Sequence, residues 1–252
     1  MSKHEVTLKE TPINLQFKEA NARVVYHKYE DVLLNLTLVS FNEQRQVLTT
    51  MDGLQKVSNV GNVFVPDPLS TRHMTLHSYD KFKKQLPKSL GLSHKDFIFL
   101  STGVNMECMA VCEKTFGDFH ICCIATGGAR DNALRMGVDA GNWIENQTQM
   151  KLTSGTINII LLTNVTLSCG AMARAIMTAT EAKSVALQDL GYKSSYTPLV
   201  QATGTGTDSM IVVSGVNPDV VIRYTGGHTK MGELIGFTAK TAVTEALKKF
   251  DK

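Results

Sequence analysis

The stretch from Ala202 to Gly236, ATGTGTDSMIVVSGVNPDVVIRYTGGHTKMGELIG, constrains the fold of this chain more than any other. A glycine-threonine loop ending at Asp208 runs into the apolar residues Met210 to Val213, too short a run for a helix and bounded by turn residues, so it reads as a buried strand. A second strand-like run follows at Val220 to Tyr224, and Thr225-Gly226-Gly227-His228-Thr229-Lys230 leads into a helix. Taken singly, these residues have plain roles. Gly204 and Gly206 serve a turn, Asp208 caps one, and His228 satisfies a loop carbonyl. Taken together, two loops rich in hydroxyls, a carboxylate, an imidazole and an ammonium, each set beside a rigid element, can build a site.

With 252 residues, 43% hydrophobic and 19% charged, the chain can bury a sizeable core, and a single domain spanning 1–252 is expected. The net charge of +3 is scattered; its densest cluster, Lys81-Phe82-Lys83-Lys84, reads as a solvated helix face, so no nucleic-acid partner is expected. The first residues, MSKHEVTLKE, lack the apolar core of a leader peptide. The longest apolar run, Ile157 to Val165, is broken by Asn158, Thr163 and Asn164 and falls short of the roughly 20 residues of a membrane span. The expectation is a cytoplasmic protein without a membrane partner. Cysteines at 108, 112, 122, 123 and 169 show no zinc-ribbon spacing and read as small buried hydrophobes. Cys108 and Cys112 stand one helical turn apart, and Cys122 and Cys123 point to opposite sides of a strand.

Residues 1–75 form a β-rich portion. Leu34, Leu36 and Leu38 alternate with Asn35 and Thr37, the period of a half-buried antiparallel strand, and Ile13, Leu15 and Phe17 repeat it. Residues 76–252 are mixed. A helix from Ser78 to Leu90, kinked or ended by Pro87, precedes a strand at Phe97 to Leu100. A glycine turn then opens a helix carrying Met106, Met109, Ala110 and Cys112, and Asp118 to Ala125 returns as a strand. A long loop region follows Thr126, with the only tryptophan at 143, of a length more often functional than idle. Gly155 to Asn164 is a buried strand. Ser168 opens a long helix ended by Gly191, with Met172, Ile176, Ala179, Leu187 and Leu190 on one stripe and Arg174, Thr178 and Glu181 opposite. Lys183 falls on the apolar stripe, where an ammonium must either snorkel out or meet an acid. A last helix runs from Lys230 to about Phe250. The fold class expected is α+β, a layered sandwich of mainly antiparallel sheets with helices packed on the sheet faces.

Several motifs are excluded. Gly204-Thr205-Gly206-Thr207-Asp208-Ser209 lacks the third glycine of a dinucleotide fingerprint and enters a strand, and no Gly-Lys-Ser/Thr follows it. There is no G-x-S-x-G elbow and no H-E-x-x-H helix. His228 and Glu233 are five apart, a poor spacing for two ligands on one helical face, and no metal is expected.

Four ordered segments remain: Gly155-Thr156-Ile157-Asn158-Ile159-Ile160; the helix around Thr180-Glu181-Ala182-Lys183; Ala202 to Ser209; and Gly227-His228-Thr229-Lys230 with Gly232-Glu233-Leu234-Ile235-Gly236. From about Gln44 to Gly236 the chain resembles the adenosylcobinamide amidohydrolases, the CbiZ family of cobamide salvage. That resemblance implies hydrolysis of the amide joining the corrin propionate arm to aminopropanol, giving adenosylcobyric acid, with the cobalt corrinoid as substrate and no cofactor. In element order the chain is also similar to the aminopeptidase and ornithine-acetyltransferase-like fold, a likeness of architecture alone.

Amide hydrolysis needs a nucleophile, a base, an acid for the leaving amine and donors for the oxyanion. The backbone of Gly204 to Thr207 can supply donors, with Gly204 and Gly206 allowing close approach. His228 can shuttle a proton near neutrality, oriented by Asp208 or Glu233. A nucleophilic Thr205, Thr207 or Ser209 competes with a water activated by Asp208 or Glu181, and the sequence leaves these open. Lys183 and Lys230, beside Thr229, can hold the new carboxylate, while Arg130 with Asn132 or Asn105 can bind the ring's peripheral amides. The other reading is a corrinoid-binding or carrier protein without turnover. No sequence feature sets the oligomeric state.

Overall fold

One long strand ties the molecule together in a computed structural model that describes residues 6–73, 76–141, 144 and 155–252. This strand, β3 (Val32–Thr49), follows β1 (Val6–Ile13) and β2 (Asn21–Tyr29) and precedes β4 (Gly53–Phe64). Its first half pairs with β2 and its last residues, Val47 to Thr49, with β12 (Ser209–Val213), while β4 runs antiparallel along its other edge. The β3–β4 ladder is interrupted between Ser40 and Arg45, and an interruption of this kind bends and twists a strand. β3 therefore carries the sheet from one half of the molecule into the other.

Helices α1 (Asp67–His73) and α2 (Leu76–Ser89) lead to β5 (Phe97–Thr102), which pairs parallel to β4. A 3₁₀ turn at Met106–Cys108 precedes β6 (Ala110–Phe116) and β7 (Phe119–Gly127), a tight hairpin. After the short β8 (Ala133–Leu134) come β9 (Ile157–Thr163), β10 (Val165–Leu167) and α3 (Cys169–Asp189). The chain finishes with β11 (Gly204–Thr205), β12, β13 (Asn217–Ile222) and α4 (Lys230–Phe250). The main sheet has the order β1-β2-β3-β12-β9-β7-β6, with β4 and β5 branching from β3.

Three apolar clusters hold these parts together. Leu34, Leu36, Phe97 and Phe99 pack with Leu69 of α1 and with Phe82 and Leu86 of α2. Val39, Val47, Val60 and Leu100 meet Cys122, Ile124, Ile160 and Ile211 between the two halves of the sheet. Ile157, Ile159, Leu161 and Val212 pack with Ala175, Ala179, Leu234 and Ala239 beneath α3 and α4. Each buried Ile or Leu contributes about 2 kcal/mol relative to exposure. All seven residues of β9 are buried, because its two faces serve different cores.

The α+β class agrees with the sequence, but the sheet is one curled mixed sheet rather than a sandwich of antiparallel sheets. β4–β5 and β12–β9 are parallel. In each case helices lie between the paired strands in sequence and carry the chain back to the same end, which only a crossover can do. The expected helix over Met106 to Cys112 is a single turn followed by β6, since those residues gain a full ladder with β7. β3 is not half-buried: Asn35 is 3% exposed and Thr37 fully buried, with Asn35 bonding Asn105 and the Met106 N–H, and Thr37 donating to two methionine sulfurs. Thr178, expected on the polar face of α3, is buried and donates to the Thr225 carbonyl at 2.9 Å. Helix α3 has Ser168 as its N-cap, and Gly191, with φ +73, follows its end. Cys122 and Cys123 do face opposite cores, whereas Cys169 is exposed. Trp143 and most of the loop around it lie outside the described residues. No helix among the described residues is long and apolar enough to cross a membrane.

Candidate active site

The apolar stripe of α3 carries Lys183 to the end of the sheet where β9 and β12 begin, and there it meets an acid. Its ammonium pairs with Asp208, the side chains being 10% and 16% exposed. The fold of the TGTGTD loop around this carboxylate is local and economical. Oδ1 of Asp208 accepts from the Ile157 N–H at 3.0 Å and from the Thr205 hydroxyl; Oδ2 accepts from the Thr205 N–H at 2.9 Å and from Lys183. Four donors engage both oxygens, so the carboxylate has little capacity left for a water. Gly204 is required beside it, because a Cβ there would stand 2.5 Å from Asp208 Oδ2 and 2.6 Å from Lys183 Nζ. An ammonium has three donors, and Lys183 borders a cavity of about 50 Å³ lined also by Thr50, Ile157, Thr180, Ser209 and Met210. A ligand oxygen entering that cavity meets a buried cation.

A second cluster adjoins it. Asn132, 2% exposed, donates to the Gly155 carbonyl at 2.9 Å, and its Nδ2 lies 3.5 Å from Thr207 Oγ1. Tyr196 fixes that amide by donating its hydroxyl to Asn132 Oδ1 at 3.0 Å. Thr156 donates to the Thr207 carbonyl at 2.8 Å. Gly155 has φ +105, and a Cβ on it would lie 2.6 Å from the Gly128 carbonyl oxygen, so only glycine fits. The loops carrying these groups are bound together by Asp139, which accepts from Arg135 N, Ser194 Oγ and Thr197 Oγ1. The hydroxyls of Ser194 and Thr197, then the Arg135 N–H, hold its carboxyl below the usual carboxylate range.

The structure thus gathers Lys183, Gly204, Thr205, Gly206, Thr207, Asp208 and Ser209, with Asn132 beside them. It does not bring His228 to them. His228 is exposed before α4, and Lys230, at the start of that helix, lies over the Phe116 ring at the β6–β7 turn. That turn lies near Thr163, which pairs with Ile121, whereas Asp208 bonds Ile157 at the other end of β9. The length of β9, about 20 Å at ~3.3 Å per residue, separates the two. The expected Asp208–His228 pair is therefore not formed. Thr229 is the N-cap of α4, accepting from Gly232 N at 3.0 Å. Lys230 pairs with Glu233 at 2.5 Å, and that hydrogen bond holds the Glu233 carboxyl low.

Three more expected residues lie apart from this cluster. Glu181 is exposed on the solvent side of α3. Asn105 caps the 3₁₀ turn through Glu107 N and bonds Asn35. Arg130 reaches the Asp251 carbonyl and carboxylate. Tyr196, Thr156 and the Asp139 clamp were missed by sequence reasoning; the signal that could have pointed to the clamp is the polar run Ser194-Ser195-Tyr196-Thr197. A larger cavity of about 540 Å³ lies between α2 and the edge of β4, lined by Asp52, Asp80, Lys83, Lys84, His94 and Lys95 among others. It holds none of the motif residues, so the buried Lys183–Asp208 cluster is the better candidate for chemistry. Among the described residues no three His, Cys, Asp or Glu side chains are grouped to hold a metal.

A family model described as adenosylcobinamide amidohydrolase matches residues 20–252. An uncharacterised protein of Methanocaldococcus jannaschii is 42% identical over 225 residues, covering 85% of this chain and 86% of its own. A protein of Methanosarcina mazei named adenosylcobinamide amidohydrolase is 33% identical over 146 residues, 54% of this chain and 58% of its own. Among solved structures, a Pyrococcus horikoshii protein is similar with a TM-score of 0.42 at 10% identity, covering 98% of this chain and 83% of that one. An L-aminopeptidase D-Ala-esterase/amidase of Ochrobactrum anthropi gives 0.40 at 12% identity, with 98% and 84% covered. By the span of the family match, which takes in every motif of the site, this chain belongs to the adenosylcobinamide amidohydrolase family.

Proposed function

We propose that the chain is a cytoplasmic enzyme that hydrolyses the aminopropanol amide of adenosylcobinamide to adenosylcobyric acid, with the corrinoid as substrate and no further cofactor. The observation that carries the reading is the line from hydroxyl to carboxylate to ammonium, Thr205–Asp208–Lys183, inside the TGTGTD loop. A nucleophile hydrogen-bonded to a base that a third group orients is the arrangement covalent catalysis requires.

In this reading the Thr205 oxygen bonds to the scissile carbonyl carbon while its proton passes to Asp208. The charge developing on the carbonyl oxygen faces the Lys183 ammonium, a preorganised cation in a site of low exposure. Collapse breaks the C–N bond, and aminopropanol leaves with the proton returned by Asp208. Water then hydrolyses the Thr205 ester, releasing the corrinoid carboxylic acid and restoring the hydroxyl. Asp208, with both oxygens engaged, is better placed to take the Thr205 proton than to activate a free water.

The test is incubation of the purified protein with adenosylcobinamide, with and without a chelator, followed by chromatography and mass detection of adenosylcobyric acid. Product in both arms supports the proposal. Product only without chelator would replace the metal-free chemistry, and corrinoid binding without product would leave a carrier protein instead.

A further inference from the structure

We infer that the exposed apolar rim formed by Met136, Val138, Tyr196 and Leu199 is the seat of the corrin macrocycle, an inference that rests on the corrinoid reading of the adjoining site. Leu199 is the most exposed of the four. Thr197-Pro198-Leu199-Val200 is a turn closed by the Val200 N–H on the Thr197 carbonyl at 3.3 Å. Leu199 has φ +74, and proline before a positive-φ residue is the pattern of a type II turn, whose third position favours glycine. A leucine stands there instead, and it is 89% exposed. Both features are unfavourable in the free protein, and glycine or asparagine would relieve both.

Leu199 is not alone. Met136 is 75% exposed, Val138 56% and Tyr196 49%. The loops that present them are fixed: Asp139 clamps Ser194 and Thr197, Met136 N donates to Thr203 Oγ1 at 3.0 Å, and Ser195 N donates to the Ala133 carbonyl at 2.8 Å. Exposed apolar side chains on rigid loops are preorganised for a ligand, since little ordering remains to be done on binding. The rim is also continuous with the site. Tyr196 bonds Asn132, whose amide lies against Gly155 and Thr207, and Leu134, two residues before Met136, pairs with Gly204.

Size identifies the occupant. The cavity at Lys183, about 50 Å³, has room for a reacting amide and not for a macrocycle, so the rest of a large substrate must lie on the adjoining surface. A corrin ring presents broad apolar faces, and the four side chains of the rim carry no charge. The larger cleft beside α2 sets Val57, Phe97, Ile98 and Phe99 among three lysines and two aspartates, and it holds none of the motif residues, so a ring seated there would not carry its amide to Lys183.

The test compares Leu199→Ser and the double variant Leu199→Ser/Met136→Ser with the wild type and with Leu33→Ser, a control on an exposed leucine of β3. Steady-state hydrolysis of adenosylcobinamide and equilibrium binding of dicyanocobinamide are measured, with sedimentation to report assembly. The expected result is a KM and a corrinoid Kd raised roughly tenfold or more in Leu199→Ser and further in the double variant, the size of effect that loss of a buried leucine contact gives. The rate at saturation falls far less, and the control is unchanged. A wild type that hydrolyses the substrate, with variants of unaltered KM and Kd, overturns the rim assignment and leaves the amidohydrolase standing. Variants that change only the oligomeric state would make the rim an interface between copies and overturn it equally. A wild type that neither binds nor cleaves corrinoids overturns both.

Discussion

Replacing Asp208 by Asn should cost far more stability than replacing its partner Lys183 by Met, although each change breaks the same ion pair. In Lys183→Met the carboxylate keeps the Ile157 N–H, the Thr205 N–H and the Thr205 hydroxyl, and methionine fills the space of the lysine stem on an apolar stripe. Removing one partner leaves the other charge without its counter-ion, but the three hydrogen bonds that remain to the carboxylate hold most of that charge, so a cost of about 1 kcal/mol is expected. In Asp208→Asn the ammonium, in a residue 8% exposed, loses its counter-charge. The amide must also turn a donor toward a pair of existing donors, orphaning a backbone N–H of Ile157 or Thr205. An unpaired buried charge costs about 3–5 kcal/mol and an unmet buried donor about 1–3; with the residual solvent access of the pair, about 3 kcal/mol in total is expected. The double variant should be more stable than Asp208→Asn alone, a coupling of about 2 kcal/mol. Urea unfolding of the full chain followed by circular dichroism measures all four corners. Equal costs for the two single variants, or a larger cost for Lys183→Met, would refute the reasoning.

Gly204→Ala, whose Cβ would intrude within 2.6 Å of both charged groups, is expected to abolish turnover, and Gly155→Ala to destabilise by about 2 kcal/mol or more through backbone conflict at Gly128; activity assays and urea midpoints check these. Asp139 has a carboxyl lowered in the folded state, so its stabilisation is fully present above the unfolded carboxylate pKa of about 4 and is lost as pH falls below it toward the folded value. The melting-temperature difference between wild type and Asp139→Asn should therefore be constant at neutral pH and shrink in acid; a difference that grows in acid would show the sign to be wrong. Burial raises the thiol pKa of Cys122 and of Cys123, while Cys169 is exposed. A thiol reagent should label Cys169 in the native protein and reach Cys122 and Cys123 only after unfolding, as peptide mass mapping will report.

Much of the fold was legible because it is encoded locally. Ser168 and Gly191 bound α3, Thr229 and Lys230 open α4, and the adjacent cysteines 122 and 123 alternate between two cores as a strand requires. Lys183 on an apolar stripe had either to snorkel out or to meet an acid, and it meets Asp208. Two features were not legible. Parallel pairing of β9 with β12 depends on where α3 returns the chain, which no local pattern states. The separation of His228 from Asp208 follows from it: a strand joins the two loops that the sequence places close together, and β12 carries the chain to the far end of the sheet. The Gly227-His228-Thr229-Lys230 motif is in this structure a helix start, with the plain role its residue types allow. The half-buried period of β3 misled for a related reason, since Asn35 and Thr37 alternate as surface residues do but find partners in a loop some 70 residues away.

The most direct test of where the chemistry lies is the formation of adenosylcobyric acid from adenosylcobinamide by the wild type, Lys183→Met and His228→Ala side by side. His228→Ala is expected to keep the wild-type rate, while Lys183→Met, still folded, loses about a hundredfold or more, the effect of removing a preorganised oxyanion partner. A rate that collapses in His228→Ala and survives in Lys183→Met would move the site to the opposite end of the sheet.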